Sequence, residues 1–155
     1  MLCPMKRSNL RLLAGAVVAV TLGAALIGAR TVRQECTQLS GHDMIMLPET
    51  TLSRGMARLF YYRDDSGKRI RFLLARDSNG DVHGVFDACH QCYKYHQGYE
   101  IGDGYVVCRF CRNRYKIGEI QAGKASCVPV HLAIEQSSHT VRVKVADIEK
   151  GRSLF

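Results

Sequence analysis

The residues of this chain best suited to chemistry are four cysteines arranged as two Cys-x-x-Cys pairs. In the stretch FDACHQCYKYHQGYEIGDGYVVCRFC, residues 86–111, fifteen residues separate the pair Cys89 and Cys92 from the pair Cys108 and Cys111. Each pair can form a cysteine knuckle, a tight turn that points two sulfur atoms toward one place. Four thiolates that converge in this way bind zinc, a single iron ion or an iron-sulfur cluster, and the spacing does not choose among them.

A fifth cysteine, Cys127, follows sixteen residues after the second pair. Two other uses of paired cysteines stay open. They can form structural disulfides in an oxidising compartment, or they can act as a thiol-disulfide oxidoreductase site, for which Cys-x-x-Cys is also the motif. An odd fifth cysteine fits neither use well. Covalent haem attachment needs a histidine directly after the pair, but Tyr93 and Arg112 stand there.

Several neighbouring side chains are of types that tune or complete a metal site. Positive charge near a thiolate lowers its pKa and offsets the negative charge of a tetrathiolate centre. The basic residues beside the second pair are Arg109, Arg112, Arg114 and Lys116. A solvated basic face explains these residues equally well. Histidines replace two cysteines in Rieske centres, and the candidates for such a replacement are His90, His96 and His131.

The segments that must hold the cysteines have the pattern of β-strands. Runs of aromatic and branched residues, ARLFYYR, RIRFLLARD and VHGVFDAC, are separated by the turn sequences DDSGK and SNGD, which predicts an antiparallel meander. The stretch GYEIGDGYVV predicts a hairpin that brings the second pair beside the first. Near the end of the chain, HTVRVKVADI predicts one more strand with Val141, Val143 and Val145 on one face. The prediction is a small β-rich (α+β) domain with Cys-rich knuckles over residues 56–155.

The N-terminal segment, residues 1–30, has the pattern of a targeting element. An uncharged run of eighteen residues, LLAGAVVAVTLGAALIGA, follows the basic flank MKRSNLR. This order is typical of a signal anchor or a signal peptide whose basic end stays in the cytoplasm. As a helix the run would measure about 27 Å, close to the roughly 30 Å of a bilayer core. We predict a single hydrophobic helix that precedes the domain, with residues 31–55 as a linker.

The charge of the chain gives little support to nucleic-acid binding. The formal net charge of +8 halves when the four basic residues of residues 1–30 are set aside, because no acidic residue lies among them. A surplus of this size in the remaining chain is explained by solubility. Export of the domain argues against a nucleic-acid partner as well.

The motifs FDACHQCY, GYEIGDGYVVCRFCRNRYKIGEI, GKASCVPVHL and the terminal IEKGRSLF together resemble the C-terminal domain of the FtrD-like membrane iron-sulfur proteins. The likeness covers roughly residues 57–155. It implies a ferredoxin-like centre held by four cysteines, with Cys127 as a further family cysteine; the four are Cys89, Cys92, Cys108 and Cys111. It also implies electron transfer in bacterial iron uptake, beside a periplasmic iron-binding protein, a cupredoxin-like protein and an iron permease.

The sequence therefore predicts an electron carrier rather than an enzyme. We expect a single-pass protein of the bacterial cytoplasmic membrane whose C-terminal domain lies on the periplasmic side. Its cysteines would hold an iron-sulfur cluster or a single iron ion and exchange electrons with a partner protein of an iron-uptake system. The alternative is a zinc-stabilised interaction module, which would have the same cysteine spacing and no redox chemistry.

Overall fold

The computed structural model describes residues 34–122 and 127–155, and the predicted N-terminal helix lies outside these ranges. One short helix, α1 (Val145–Glu149), accompanies the strands. In the described part of the chain, no helix is long and apolar enough to cross a membrane. The strands are β1 (Cys36–Leu39), β2 (Met44–Pro48), β3 (Met56–Arg63), β4 (Arg69–Arg76), β5 (Val82–Cys89), β6 (Tyr99–Gly102), β7 (Tyr105–Cys108), β8 (Arg114–Lys116), β9 (Pro129–His131), β10 (Glu135–Ser137) and β11 (Thr140–Lys144).

A central five-stranded sheet has the strand order β1-β3-β4-β5-β9. Strand β1 runs parallel to β3, and all other neighbours are antiparallel. The predicted meander is confirmed as β3, β4 and β5. Its two turns contain Gly67 and Gly80, whose φ angles of +83° and +105° are readily adopted by glycine alone.

Two three-stranded sheets accompany the central one. The predicted hairpin is confirmed as β6 and β7, and β8 adds a third antiparallel strand beside β7. The other small sheet has the order β10-β11-β2. The small β-rich domain predicted from the sequence is thus present, with short helical segments and a cysteine cluster.

The central sheet carries one hydrophobic core on each face, because side chains alternate along its strands. On β4, Phe72 and Leu74 belong to the first core, together with residues of β2, β11 and α1. Leu73 and Ala75 belong to the second core, together with residues of β6, β7 and β8. Among the described residues, four buried cysteines lie in the second core and none in the first. We call the face of the sheet that bears the second core the thiol face.

Two sequence predictions need correction. Residues 36–48, part of the predicted linker, contribute the edge strands β1 and β2 to the domain, because their backbone groups pair with β3 and β11. Val145 was expected to continue the last strand, but it begins α1. Val141 and Val143 are buried in β11 as predicted, and Val145 is buried from the helix.

The turn between β4 and β5 is held by one aspartate. One carboxylate oxygen of Asp77 accepts hydrogen bonds from the backbone N–H groups of Asn79, Gly80 and Asp81 at 2.9–3.0 Å. Its other oxygen lies 3.2 Å from Nε2 of His83. Burial raises the pKa of Asp77, but these hydrogen bonds outweigh burial and hold the pKa below its usual range.

We predict that Asp77→Ala lowers the free energy of unfolding by about 1–3 kcal/mol, because three N–H groups lose a charged acceptor. A carboxyl group whose pKa is lowered by folding stabilises the protein above its unfolded pKa of about 3.9, and this contribution disappears as the pH falls through the folded value. Urea unfolding of both proteins at neutral and acidic pH should therefore show a difference that shrinks in acid. Asp81→Asn, at an exposed neighbouring position, is the control. A difference that does not change with pH would contradict this account.

Candidate metal centre

The first cysteine knuckle follows the end of β5. Cys89 is the last residue of that strand, on the thiol face, and the chain then reverses within three residues. The backbone N–H of Cys92 lies 3.2 Å from the carbonyl oxygen of Cys89 and 3.3 Å from its Sγ atom. A hydrogen bond from a backbone N–H to sulfur favours the thiolate, which is the form that binds metals.

The second cysteine knuckle follows the end of β7 in the same way. Cys108 ends the strand, and its carbonyl oxygen accepts a hydrogen bond from the N–H of Arg112 at 2.9 Å. Burial raises the pKa of the Cys108 thiol, against the opposing effect of the backbone N–H groups of Cys111 and Phe110. Each knuckle thus begins with a cysteine that ends a strand and lies in the second core.

A third segment brings Cys127 to the same place. Strand β9 follows directly and pairs with β5, so that Pro129 lies opposite Cys89. The hydroxyl of Tyr115 donates a hydrogen bond to the carbonyl oxygen of Cys127 at 2.9 Å. The Sγ atom of Cys127 lies 2.9 Å from that of Cys89 and 3.3 Å from that of Cys111.

The five cysteines that the sequence singled out therefore meet, and all five are free thiols. The Sγ atoms of Cys89, Cys92, Cys108 and Cys127 lie within 4.8 Å of one another, and all four residues are buried. Four sulfurs about 2.3 Å from a central ion would be separated by about 3.8 Å in a tetrahedron. The donor set thus suits zinc or iron in size and in chemistry. Which four of the five cysteines bind remains a prediction.

The three histidines suggested as replacement ligands are not part of this group. His90, His96 and His131 are all exposed, and the buried group within the described residues consists of thiols alone. The pure thiol set is typical of structural zinc, mononuclear iron and ferredoxin-type sites.

Burial and crowding keep most of these thiols protonated until a cation arrives. Burial, and then hydrogen bonding to Cys89, raise the pKa of Cys92. Burial and the neighbouring thiol of Cys89 raise the pKa of Cys127 to about 11. Burial also acts to raise the pKa of Cys111, but the N–H of Asn113 and the adjacent thiols outweigh it and lower that pKa. Metal binding must then displace protons, so the affinity of the site falls in acid.

Sequence reasoning missed a buried ion pair beside the cysteines. Asp87 lies on the thiol face two residues before Cys89, and its carboxylate is 3.3 Å from Nε of Arg71 on β4. The same carboxylate accepts a hydrogen bond from the N–H of Tyr99 at 2.6 Å. Burial raises the pKa of Asp87 to about 6, against the opposing effects of Arg71 and the Tyr99 N–H. The sign of Asp87 in the sequence was an acidic residue within a mostly apolar strand.

An aromatic stack covers the two knuckles. The rings of Tyr95, after the first knuckle, and Phe110, within the second, lie 3.7 Å apart and 7° from parallel. Both residues are exposed, as is Tyr93. The ammonium group of Lys94 lies 5.4 Å from the centre of the Tyr95 ring. A small cleft lined by Tyr93 and Phe110 leads to the buried cysteines.

The basic residues of the second knuckle region form contacts of their own. Arg112 pairs with Glu100 at 2.8 Å, and Lys116 lies 3.6 Å from Glu119. The guanidinium of Arg114 lies over the ring of Tyr105. Arg109 donates through Nε to the carbonyl oxygen of Tyr99 at 3.0 Å. This region is thus a charged surface with both signs, in which cations outnumber acids.

Comparison with protein families gives a match over the domain. The family model described as "Membrane iron-sulfur containing protein FtrD-like" matches residues 52–155, which include every cysteine of the cluster. No curated protein matches the chain. The cysteine cluster described above is compatible with the iron-sulfur site in the family's description.

Proposed function

The chain belongs to the family of FtrD-like membrane iron-sulfur containing proteins, and on this basis we propose that it is an electron carrier of a bacterial iron-uptake system. In this proposal residues 1–30 anchor it in the cytoplasmic membrane, and the domain lies on the extracytoplasmic side. The cysteine cluster holds an iron-sulfur cluster or a single iron ion. The observation that carries the proposal is the meeting of five free thiols, four of them buried, at one point of the domain.

In such a function the protein binds the redox centre, shields it from water and limits its structural change on electron transfer. An iron centre bound by thiolates supplies a one-electron couple. The backbone N–H of Cys92 lies 3.3 Å from the Cys89 sulfur, and a hydrogen bond of this kind offsets the added negative charge of a thiolate. The second core, with Tyr99 and Tyr115 among its residues, excludes water from the buried side of the site.

We further propose that the partner docks over Tyr93, Tyr95 and Phe110, which we call the aromatic patch. These side chains are exposed, and Tyr93 and Phe110 line the cleft that reaches the buried cysteines, so a protein seated on them would come close to the centre. Lys94 belongs to the same surface, and from residue 90 to residue 119 basic residues outnumber acidic ones. The complementary partner is a redox protein with an acidic docking face.

The charge of this patch predicts how the reduced centre reacts with small redox probes. We expect Lys94→Glu to slow oxidation by hexacyanoferrate(III), an anion, severalfold at low ionic strength, and to speed oxidation by the cation hexaammineruthenium(III). Stopped-flow absorption measures both rates. Lys150→Glu, beside α1 on the other face of the central sheet, is the control. If both substitutions changed the oxidation rates equally, electrons would not leave the centre through the aromatic patch.

The proposed function is tested on the full chain, purified anaerobically from membranes in detergent. We expect iron by elemental analysis and visible absorption bands that bleach on addition of dithionite. A colourless protein with stoichiometric zinc would reject electron transfer and leave the zinc-stabilised interaction module. A protein without metal whose cysteines cycle between dithiol and disulfide would point to a thiol-disulfide oxidoreductase.

A further inference from the structure

We propose that Cys127, rather than Cys111, is the fourth ligand of the centre, and that Cys111 is the exposed thiol that first captures the metal and then yields its place to Cys127. This assignment differs from the two symmetric Cys-x-x-Cys pairs that the spacing suggests. It rests on the proposed function only in requiring that the site binds a thiophilic metal, whether iron or zinc.

Cys127 and Cys111, the two candidates for the fourth ligand, differ in burial. Cys127 is 4 % exposed and belongs to the second core, together with Cys89, Cys92 and Cys108. Its sulfur lies within 4.8 Å of the sulfurs of these three residues. Cys111 is exposed and does not belong to that group.

The position of Cys127 is fixed from two sides. Tyr115, itself buried, donates a hydrogen bond from its hydroxyl group to the Cys127 carbonyl oxygen. The next residue, Val128, accepts a hydrogen bond from the N–H of His90 at 3.0 Å, and β9 pairs with β5. The backbone around Cys127 is thereby tied to β8 on one side and to β5 and the first knuckle on the other. The pairing of β9 with β5 places Cys127 beside Cys89 independently of β8.

Cys111 is placed to hand a metal on rather than to keep it. The residue is exposed, and its sulfur lies 3.3 Å from the Cys127 sulfur. A tetrahedral site has no fifth position for it. In the transfer, the bond between the metal and Cys111 breaks as the bond to Cys127 forms, and the proton of the Cys127 thiol passes to Cys111. Neither sulfur changes oxidation state.

The first test needs no variant. The full chain in detergent, with its metal removed and then reloaded with Zn²⁺, is treated with iodoacetamide, and mass spectrometry identifies the modified peptides. Among the five clustered cysteines, we expect Cys111 to react and the other four to be protected. Reaction at Cys127 with protection of Cys111 would overturn the assignment.

A matched pair of variants tests the two roles separately. We expect Cys111→Ser to bind Zn²⁺ with unchanged stoichiometry but to load several times more slowly. Competition with a chromophoric chelator measures both quantities. Cys127→Ser should bind Zn²⁺ at least about 100-fold more weakly, because a ligand is lost. Equal loss of affinity in both variants would overturn the ligand assignment, and an unchanged loading rate in Cys111→Ser would overturn the capture role.

The outcomes distinguish this inference from the proposed function. A chain that shows the expected labelling with Zn²⁺, but carries no iron when purified from cells, would reject electron transfer and keep the ligand assignment. A chain that carries redox-active iron, but whose Cys111 is protected from iodoacetamide, would support electron transfer and reject the ligand assignment.

Discussion

Removal of the metal is expected to unfold one side of the central sheet and to leave the other side folded. The second core is built around Cys89, Cys92, Cys108 and Cys127, so a metal bound by them would help to hold its apolar residues together. Within the part of the chain that the structure describes, the first core contains no cysteine and joins the sheet to β2, β11 and α1. Structural zinc contributes about 10–16 kcal/mol in small zinc-dependent domains, far more than three short strands supply by themselves.

Hydrogen exchange with mass spectrometry measures this difference strand by strand. After treatment with a strong chelator, we expect amide protection to fall sharply in β6, β7 and β8 and to persist in β4, β11 and α1. Cys89→Ser should reproduce the pattern in the presence of metal, because it removes a buried ligand. Cys111→Ser, at the exposed cysteine, should not. Loss of protection across all strands at once would show that the two cores unfold as one unit.

The strands nearest the cysteines could be predicted because local patterns determine them. Alternating apolar residues and glycine-containing turns are sufficient for β3, β4, β5 and the β6–β7 hairpin. Strands β1 and β2 escaped prediction because they are short: β1 is half polar, and β2 is a five-residue apolar stretch within an otherwise polar segment. Their formation depends on distant partners, since Cys36 lies opposite Leu59 and Met46 lies opposite Arg142. Short edge strands of this kind are determined by tertiary pairing rather than by their own sequence.

The membership of the cysteine cluster could be predicted, but its internal order could not. Spacing makes Cys108 and Cys111 equivalent members of a pair, whereas folding buries the first and leaves the second exposed. Cys127 is isolated in sequence, and only the pairing of β9 with β5 brings it to Cys89. The difference between the cysteines thus arises from sheet register, which no local motif encodes.

Asp87 escaped prediction for the same reason, and its position gives it a large expected effect on the site. Phe72 on β4 lies opposite Phe86 on β5, which brings the next residues, Arg71 and Asp87, together on the thiol face. The Asp87 carboxylate binds the N–H of Tyr99, the first residue of β6. It therefore connects the strand that ends in the first knuckle to the sheet that carries the second.

The backbone next to Tyr99 is fitted to this carboxylate. Gly98 has a φ of +66°, and a methyl group on its Cα atom would overlap the Asp87 side chain. The carbonyl oxygen of Gly98 accepts a hydrogen bond from the N–H of Arg109, the residue after Cys108. A displacement of Asp87 would thus be transmitted through Gly98 to the second knuckle.

We predict that Asp87→Ala lowers the free energy of unfolding by about 3–5 kcal/mol, because the buried guanidinium of Arg71 loses its counterion. The affinity for Zn²⁺ should fall by about 10–100-fold, as is typical when a group that orients metal ligands is removed. Urea unfolding measures the first quantity and chelator competition the second. Asp64→Asn, at another buried aspartate remote in sequence from the cysteines, is the control for general destabilisation.

The double variant Arg71→Met/Asp87→Leu separates stability from positioning. It buries no charge, so we expect most of the lost stability to return. Its leucine cannot accept the Tyr99 N–H, so the start of β6 stays unanchored and Zn²⁺ affinity should remain low. Recovery of both quantities would mean that the ion pair acts only through the stability of the second core. Recovery of stability alone would identify Asp87 as the residue that holds the two knuckles in register for metal binding.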